Sequence, residues 1–529
     1  MADRSPGPSL RAVGRAALVL TSGSAVAQLI GVGREIFIAA QVGISRDLDA
    51  LLIALVLPLA LSGVLTSGTI TALVPAYLDA RTAVGLVGAR RLAGAVLMLV
   101  AIGAIFLSIG LTLVAGVAVG ITGPGLSPES RADATAYLQL LAPVAFFAAV
   151  AGILRSICQA EERFTAIAIA TLVGPALTLA ILVGLWAPLG LGAYALGSLV
   201  GPMATVITLL VATARASIVP LPGVRFRGLG LGGFARHAWP LTVSAAILQV
   251  NVVADRAIAS LIAPGAVSAL RYGEVLIRTP ISAIAPAWSA AIYPTQVRAA
   301  ASPDSAALGV ATSRSVAYAL AAFIPLAALG AALAPLGVEV AYGRGAFGSG
   351  DVAVTAHVVA AFAPLMVVLM ISPVLAGAHN ARRRGLLLLT RGAMNVVMNV
   401  SLSIILGAWL GVAGVALATS VTSSILVVFL ASRLARDEHE FSLRPLALTG
   451  LRAVAAIAGP ALFVALVAWS GVGRGAGLST LLLLAVLGLG ALVAYAAVAW
   501  RIGLQEVPFV ARLVAKRLGL IGRPSGPAD

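Results

Sequence analysis

The chain has 529 residues, 60% of them hydrophobic and 10% charged, with a formal net charge of +16. A soluble domain of this length could not cover its surface with so few polar groups, which excludes a water-soluble globular fold. The positive charge is nearly all arginine, Lys516 being the single lysine, and it sits in short connections between apolar runs rather than along one face, which argues against a nucleic-acid partner.

Apolar runs of about 20 residues or more predict membrane-spanning helices. Fourteen are read in chain order, over 15–43, 48–78, 90–121, 132–157, 164–188, 190–214, 237–261, 265–294, 308–342, 352–378, 385–409, 411–432, 449–470 and 477–501. The opening "MADRSPGPSLRAVGR" leads straight into the first run and does not resemble a cleavable signal. The lone Cys158 excludes an intrachain disulfide and an all-cysteine metal site. Pro58, Pro143, Pro175, Pro280, Pro286 and Pro364 are expected to kink helices. The fold class expected is therefore an all-α polytopic membrane protein.

Arginine placement orients these runs. Arg81, Arg90 and Arg91 follow the second helix, Arg155 and Arg163 flank the 4–5 turn, and "HNARRRG" (379–385) joins helices 10 and 11. Arg433, Arg436, Arg444 and Arg452 join 12 and 13, while the alternate connections are mostly poor in arginine. The even helix count and the positive-inside rule then put both termini in the cytoplasm. Binding of anionic lipid heads is a second use open to "ARRRG".

An internal match suggests two lobes. Laying 27–58 over 248–280 sets Gln28 on Gln249, Arg34-Glu35 on Asp255-Arg256, Gly43 on Gly265, Asp49 on Arg271 and Pro58 on Pro280. Copies separated by an even number of helices share one orientation, the arrangement of parallel-repeat transporters. The domains expected are an N-terminal lobe, 1–222, a C-terminal lobe, 223–440, and helices 13 and 14 with a basic cytoplasmic tail, 441–529.

Charges inside apolar runs need a reason, since each costs roughly 2.5–3.5 kcal/mol near the bilayer centre. Arg34 and Glu35 interrupt the first helix. Either that helix ends early and Arg34 reaches the interface, or both face an aqueous cavity where the arginine meets an anion. In "SALRYGEVLIRTP", Arg271, Glu274 and Arg278 are spaced three and four apart and share a helix face with one positive charge in excess. A self-satisfied ion cluster is one reading and an anion grip the other; with Asp255 and Arg256 at the end of helix 7, the second lobe has several ionisable groups near its opening helix pair. Arginine suits phosphate because its planar fork donates in pairs. Asn395 and Asn399 read as interhelical glue. "DEHE" (437–440) lacks metal-site spacing, "GLGLGG" is no phosphate loop, and no nucleophile–base constellation or nucleotide motif is present.

At these residues a family resemblance emerges. "LIGVGREIFIAAQVGISRDLDALLIALVLP" and "DRAIASLIAPGAVSALRYGEVLIRTP" resemble the helix 1–2 and 7–8 segments of the MurJ/MviN lipid II flippases, of the multidrug/oligosaccharidyl-lipid/polysaccharide exporter superfamily. "GILRSICQAEERFTAIAIA", "YGRGAFGSGDVAVTA" and "MNVVMNVSLSIILGAWLGVAGVALATS" are similar to later segments. The resemblance implies a transporter of a bacterial inner membrane, not an enzyme, that moves undecaprenyl-pyrophosphate-linked saccharide by alternating access. It implies Arg34 as a cavity arginine and Asp49 as the acidic residue opening helix 2.

Arginines common in the family are replaced here by Gln28, Ser62 and Val275. The expected phosphate holders are therefore Arg34, Arg271, Arg278 and Arg256, with Glu35, Asp49, Asp255 and Glu274 setting charge balance or ion coupling. No metal or cofactor is expected; membrane potential or a monovalent ion gradient would supply the energy. The partners expected are the lipid-linked saccharide, membrane lipids and envelope-synthesis machinery. A flippase for exopolysaccharide or O-antigen repeat units, or a transport-inactive scaffold, are the competing readings. A glycan polymerase is disfavoured because no connection is long enough for an extracytoplasmic catalytic site.

Overall fold

With no water in a bilayer core to take up backbone N–H and C=O groups, apolar runs must satisfy them internally, and helices do so. The computed structural model describes residues 10–221, 231–304, 306–382, 384–438, 440–471, 475, 477–504 and 506, and every regular element among them is helical. In order they are α1 Leu10–Val42, α2 Arg46–Leu113, α3 Ala115–Thr122, α4 Pro128–Leu141, α5 Val144–Ala160, α6 Phe164–Gly184, α7 Trp186–Leu189, α8 Leu191–Arg215, α9 Leu231–Ile262, α10 Ala266–Ala301, α11 Ala307–Ala332, α12 Ala334–Tyr342, α13 Ser349–Phe362, α14 Leu365–Ala381, α15 Gly385–Leu410, α16 Val412–Asp437, α17 Leu443–Trp469 and α18 Leu478–Arg501.

Thirteen described stretches are long and apolar enough to cross a membrane. One of them, α2, carries a break: Gly85 sits at φ 78° and ψ −176°, a conformation closed to residues with a Cβ. Its two limbs correspond to predicted helices 2 and 3, so all fourteen predicted spans have a counterpart. The prolines sort into two groups. Pro143 and Pro364 stand at true interruptions, between α4 and α5 and between α13 and α14. Pro58, Pro175, Pro280 and Pro286 lie inside continuous helices.

The chain forms two compact units, one of residues 1–38 and 44–268, the other of 39–43 and 269–529. The expected lobe boundary at 222/223 lies outside the described residues, as does the basic tail beyond 506. By packing, α9 belongs with the first unit: Gly125 donates its backbone N–H to Ser260 Oγ at 3.2 Å. The core of that unit joins Leu73, Tyr77, Leu92 and Val96 of α2 to Ile153, Leu154 and Ile157 of α5. In the second unit Ala453, Ile457 and Val464 of α17 pack with Ala491 and Tyr495 of α18 and with Ala321 and Leu329 of α11. Tyr495 closes that core by donating its hydroxyl to the Ala321 carbonyl at 2.7 Å. Apolar side chains elsewhere face outward, Phe463, Leu466, Val486 and Leu489 among them, as lipid-facing surfaces require.

Several arginines at the ends of the apolar runs hold acids. Arg81 pairs with Glu161, whose other oxygen accepts from Tyr77 Oη at 2.9 Å. Arg382 grips the buried Glu438 with two parallel bonds of 2.7 and 2.8 Å and also donates to the Ala300 carbonyl. Arg384 pairs with Asp437. The acids of "DEHE" thus neutralise part of "ARRRG", tying the α14–α15 turn to the end of α16.

Ser45 caps α2 by accepting from the Leu48 N–H at 3.3 Å. Ser45→Ala is expected to lower stability by about 1 kcal/mol, seen as a small drop in the detergent-solubilised melting temperature with transport intact.

Candidate substrate-binding site

The first charged group lies on α1. This helix runs unbroken to Val42, so Arg34 sits roughly 12 Å short of its end at 1.5 Å per residue. The early helix end needed for simple exit to the interface does not occur. Arg34 Nη2 donates to Glu35 Oε1 at 2.8 Å, and its Cζ lies 5.3 Å from the ring centroid of Tyr194 on α8. Glu35 is 2% exposed and the Arg34 side chain 22%. Adjacent residues on a helix normally diverge; here the long arginine folds back onto its neighbour, and the aromatic face fixes the guanidinium plane. A planar cation so held, with part of its surface open, has the chemistry to accept a phosphate oxygen pair.

Asp255 and Arg256 lie near the end of α9 in the same unit, Arg256 buried at 8% exposure and Asp255 half-buried. The second charged face, on α10, belongs to the second unit. Arg278 Nε donates to Glu274 Oε1 at 2.8 Å across one helical turn, as the spacing predicts. Arg278 is the more open partner, at 44% side-chain exposure against 22% for Glu274, and Arg271 is half-buried one turn earlier. The two units therefore carry separate sets, Arg34, Glu35, Asp255 and Arg256 in one and Arg271, Glu274 and Arg278 in the other.

Asp49 is placed differently from the charge-balancing role expected of it. It is 2% exposed, and each carboxyl oxygen accepts a backbone N–H at 2.7 Å, Oδ2 from Gly265 and Oδ1 from Ser268. These are N–H groups at the start of α10, which have no partner inside the helix. Asp49 caps α10 from another helix, each of its oxygens engaged by one of these N–H groups. Gly265 permits the turn by adopting φ +85°; Gly43, its counterpart in the internal match, adopts φ +61°. The same left-handed corner thus occurs at both matched turns.

The positions where family arginines are replaced are not rebuilt in place. The Ser62 hydroxyl donates to the carbonyl of Pro58 on its own helix at 2.6 Å, and Val275 is 8% exposed. Sequence reading also passed over Arg391, an arginine inside α15 that the neighbouring "ARRRG" run masked. No group of three or more His, Cys, Asp or Glu placed to hold a metal occurs among the described residues.

Comparison with known proteins places these features in context. The family model described as "Lipid II flippase MurJ" matches residues 38–486. A "Probable lipid II flippase MurJ" of Synechocystis sp. is 28% identical over 375 residues, 67% of this chain and 69% of that protein. Another of that description from Thermotoga maritima is 25% identical over 431 residues, covering 79% and 84%. Among solved structures, "Lipid II flippase MurJ, inward closed conformation" superposes with a TM-score of 0.76 at 19% identity over 92% of this chain and 99% of that one. An inward-facing multidrug resistance MATE family transporter of the MOP superfamily superposes with a TM-score of 0.63 at 16% identity, covering 80% and 100%. At these identities the structural likenesses establish the fold.

Proposed function

The chain belongs to the MurJ lipid II flippase family, and from that premise we propose that it flips an undecaprenyl-diphosphate-linked saccharide, lipid II foremost, across the cytoplasmic membrane. The family match over 38–486 carries this reading. The charges support it: arginines inside spanning helices are expensive to keep and answer to an anionic cargo. In this reading Arg34, held by Tyr194 and Glu35, and Arg271 and Arg278 of α10 bind the diphosphate, with Arg256 contributing from α9. Glu35, Asp255 and Glu274 set the local charge balance. The membrane potential supplies roughly 2.3 kcal/mol per charge per 100 mV, enough to bias a carrier cycle.

Both termini lie in the cytoplasm in this reading, and the basic connections contact the inner leaflet. Peptidoglycan synthesis machinery would supply and consume the cargo.

Rescue of growth in cells depleted of their own lipid II flippase tests the assignment. Expression of the parent chain is expected to restore growth and cell shape. Lysis despite stable, correctly inserted protein would remove lipid II from the proposal. One observation favours a second cargo: the replaced family arginines leave Ser62 bonded to its own helix and Val275 buried. A lipid-linked exopolysaccharide or O-antigen repeat unit, carrying the same diphosphate, would suit a grip redistributed in this way.

A further inference from the structure

The cation on α15, Arg391, stands apart from both charged sets. Arg391 lies roughly 9 Å along the axis from Gly385, the helix start, at 1.5 Å per residue. Its flanks, "GLLLLT" and "GAMNVVM", are mostly apolar, so it stands within a span and not in the preceding loop. The cationic neighbours before it are occupied, Arg382 by Glu438 and Arg384 by Asp437. Arg391 has no ion-pair partner among the described carboxylates. One of its five donors reaches Ser372 Oγ on α14 at 2.8 Å. Its Nε is shut off from solvent and has no hydrogen-bond partner among the described residues.

A half-buried guanidinium within a span, its Nε shut off from solvent and no described carboxylate paired with it, is costly in a membrane protein unless an anion compensates it. The groups around it are donors, not bases. Ser372 accepts from Arg391 and keeps its hydroxyl hydrogen to give away. Asn395 follows one turn later on the same helix face and is half-buried. A cation bonded to a hydroxyl, with an amide one turn on along its helix face and no described carboxylate paired with it, has the donor set for phosphate oxygens.

We propose that Arg391, with Ser372 and Asn395, forms a phosphate-binding position between α14 and α15 that takes the headgroup of a membrane amphiphile. Two sources share this chemistry, the diphosphate of a lipid-linked saccharide and the phosphate of an anionic phospholipid. The first rests on the flippase reading; the second does not.

The full chain, purified in detergent, would be titrated with undecaprenyl diphosphate, phosphatidylglycerol and phosphate-free diacylglycerol, with bound lipid counted by native mass spectrometry. Arg391→Gln is expected to weaken one of the two phosphate lipids about tenfold, the loss of roughly one charge-assisted hydrogen bond. Arg391→Lys should fall between, and diacylglycerol should be unaffected. Weakened undecaprenyl diphosphate assigns the position to cargo. Weakened phosphatidylglycerol alone assigns it to a lipid headgroup, and the proposal then stands even where the rescue experiment has removed the flippase reading.

Unchanged binding of both phosphate lipids to a folded Arg391→Gln overturns the proposal, and so does an equal loss of diacylglycerol. If Arg391→Gln does not fold, Arg391→Lys and Ser372→Ala decide by the same comparison.

Discussion

Asp49→Ala is expected to lose about 3–5 kcal/mol of stability, because two charge-assisted hydrogen bonds to backbone N–H groups disappear and both donors stay buried. No other described acceptor is bonded to Gly265 N–H or Ser268 N–H, and Asp49 is 2% exposed, so water is poorly placed to substitute. Asp49→Asn is the informative companion. Its amide has one oxygen and so can serve only one of the two N–H groups, turning its own NH2 toward the other. It should therefore fall between parent and Ala. The check is the melting midpoint of each purified variant in one detergent, followed by size-exclusion chromatography with fluorescence detection. A near-parental midpoint for Asp49→Ala would show that α10 starts without the cap, and would return Asp49 to the list of residues free to couple ions.

Arg34→Ala is the second large effect, on transport instead of folding. If the arginine fork holds a diphosphate, two charge-assisted bonds of about 1.5 kcal/mol each vanish, roughly a hundredfold in affinity. Arg34→Lys keeps the charge but not the paired geometry, and about a tenfold loss is expected. Because Glu35 is buried beside it and paired with it at 2.8 Å, Arg34→Ala alone confounds lost grip with the loss of one charge partner from a buried carboxylate. The double change Arg34→Ala, Glu35→Gln removes that objection: it should melt close to the parent yet still fail to bind undecaprenyl diphosphate. Parental binding by the double variant would reduce Arg34 to a packing element on the Tyr194 ring.

The two residues also mark how far sequence reasoning reaches. Glu274 and Arg278 were legible as a pair because their separation, four residues, is a property of the helix itself, and they meet at 2.8 Å. Asp49 was marked only through the family resemblance, as the acid opening helix 2, and its partners lie 216 and 219 residues away, which no local pattern encodes. The 4–5 and 10–11 turns show the same division. In the first the turn supplies the acid, Glu161, and its arginine partner Arg81 comes from α2; in the second Arg382 and Arg384 read as topology signals, yet Glu438 and Asp437, which hold them, come from the end of α16. Arg391 was missed for a different reason. Three arginines just upstream supplied a sufficient explanation for positive charge there, and one more two turns inside the helix was absorbed by it. Helix count fared better, because length and apolarity are local; the one surprise, the unbroken run of α2 up to Gly85, needed only a single residue at positive φ.

Neither compact unit is one continuous length of chain. The last turn of α1, 39–43, is grouped with the second unit, where the Ala40 carbonyl accepts from Ala346 N–H at 2.8 Å and Gly43 O accepts from Tyr272 Oη at 3.2 Å. The first turn of α10 is grouped with the first, through Asp49. Modular engineering must respect this. A half-chain cut at 222 would be made without α9, and a chimaera that grafts a relative's 223–529 onto this N-terminal portion would import a foreign α9 against the native α2 together with an α10 start that has to fit the native Asp49. Coexpressed fragments divided inside the α10–α11 link, near 302–304, keep the Asp49 cap and α9 with their native partners, and are the pair from which reassembly should be sought.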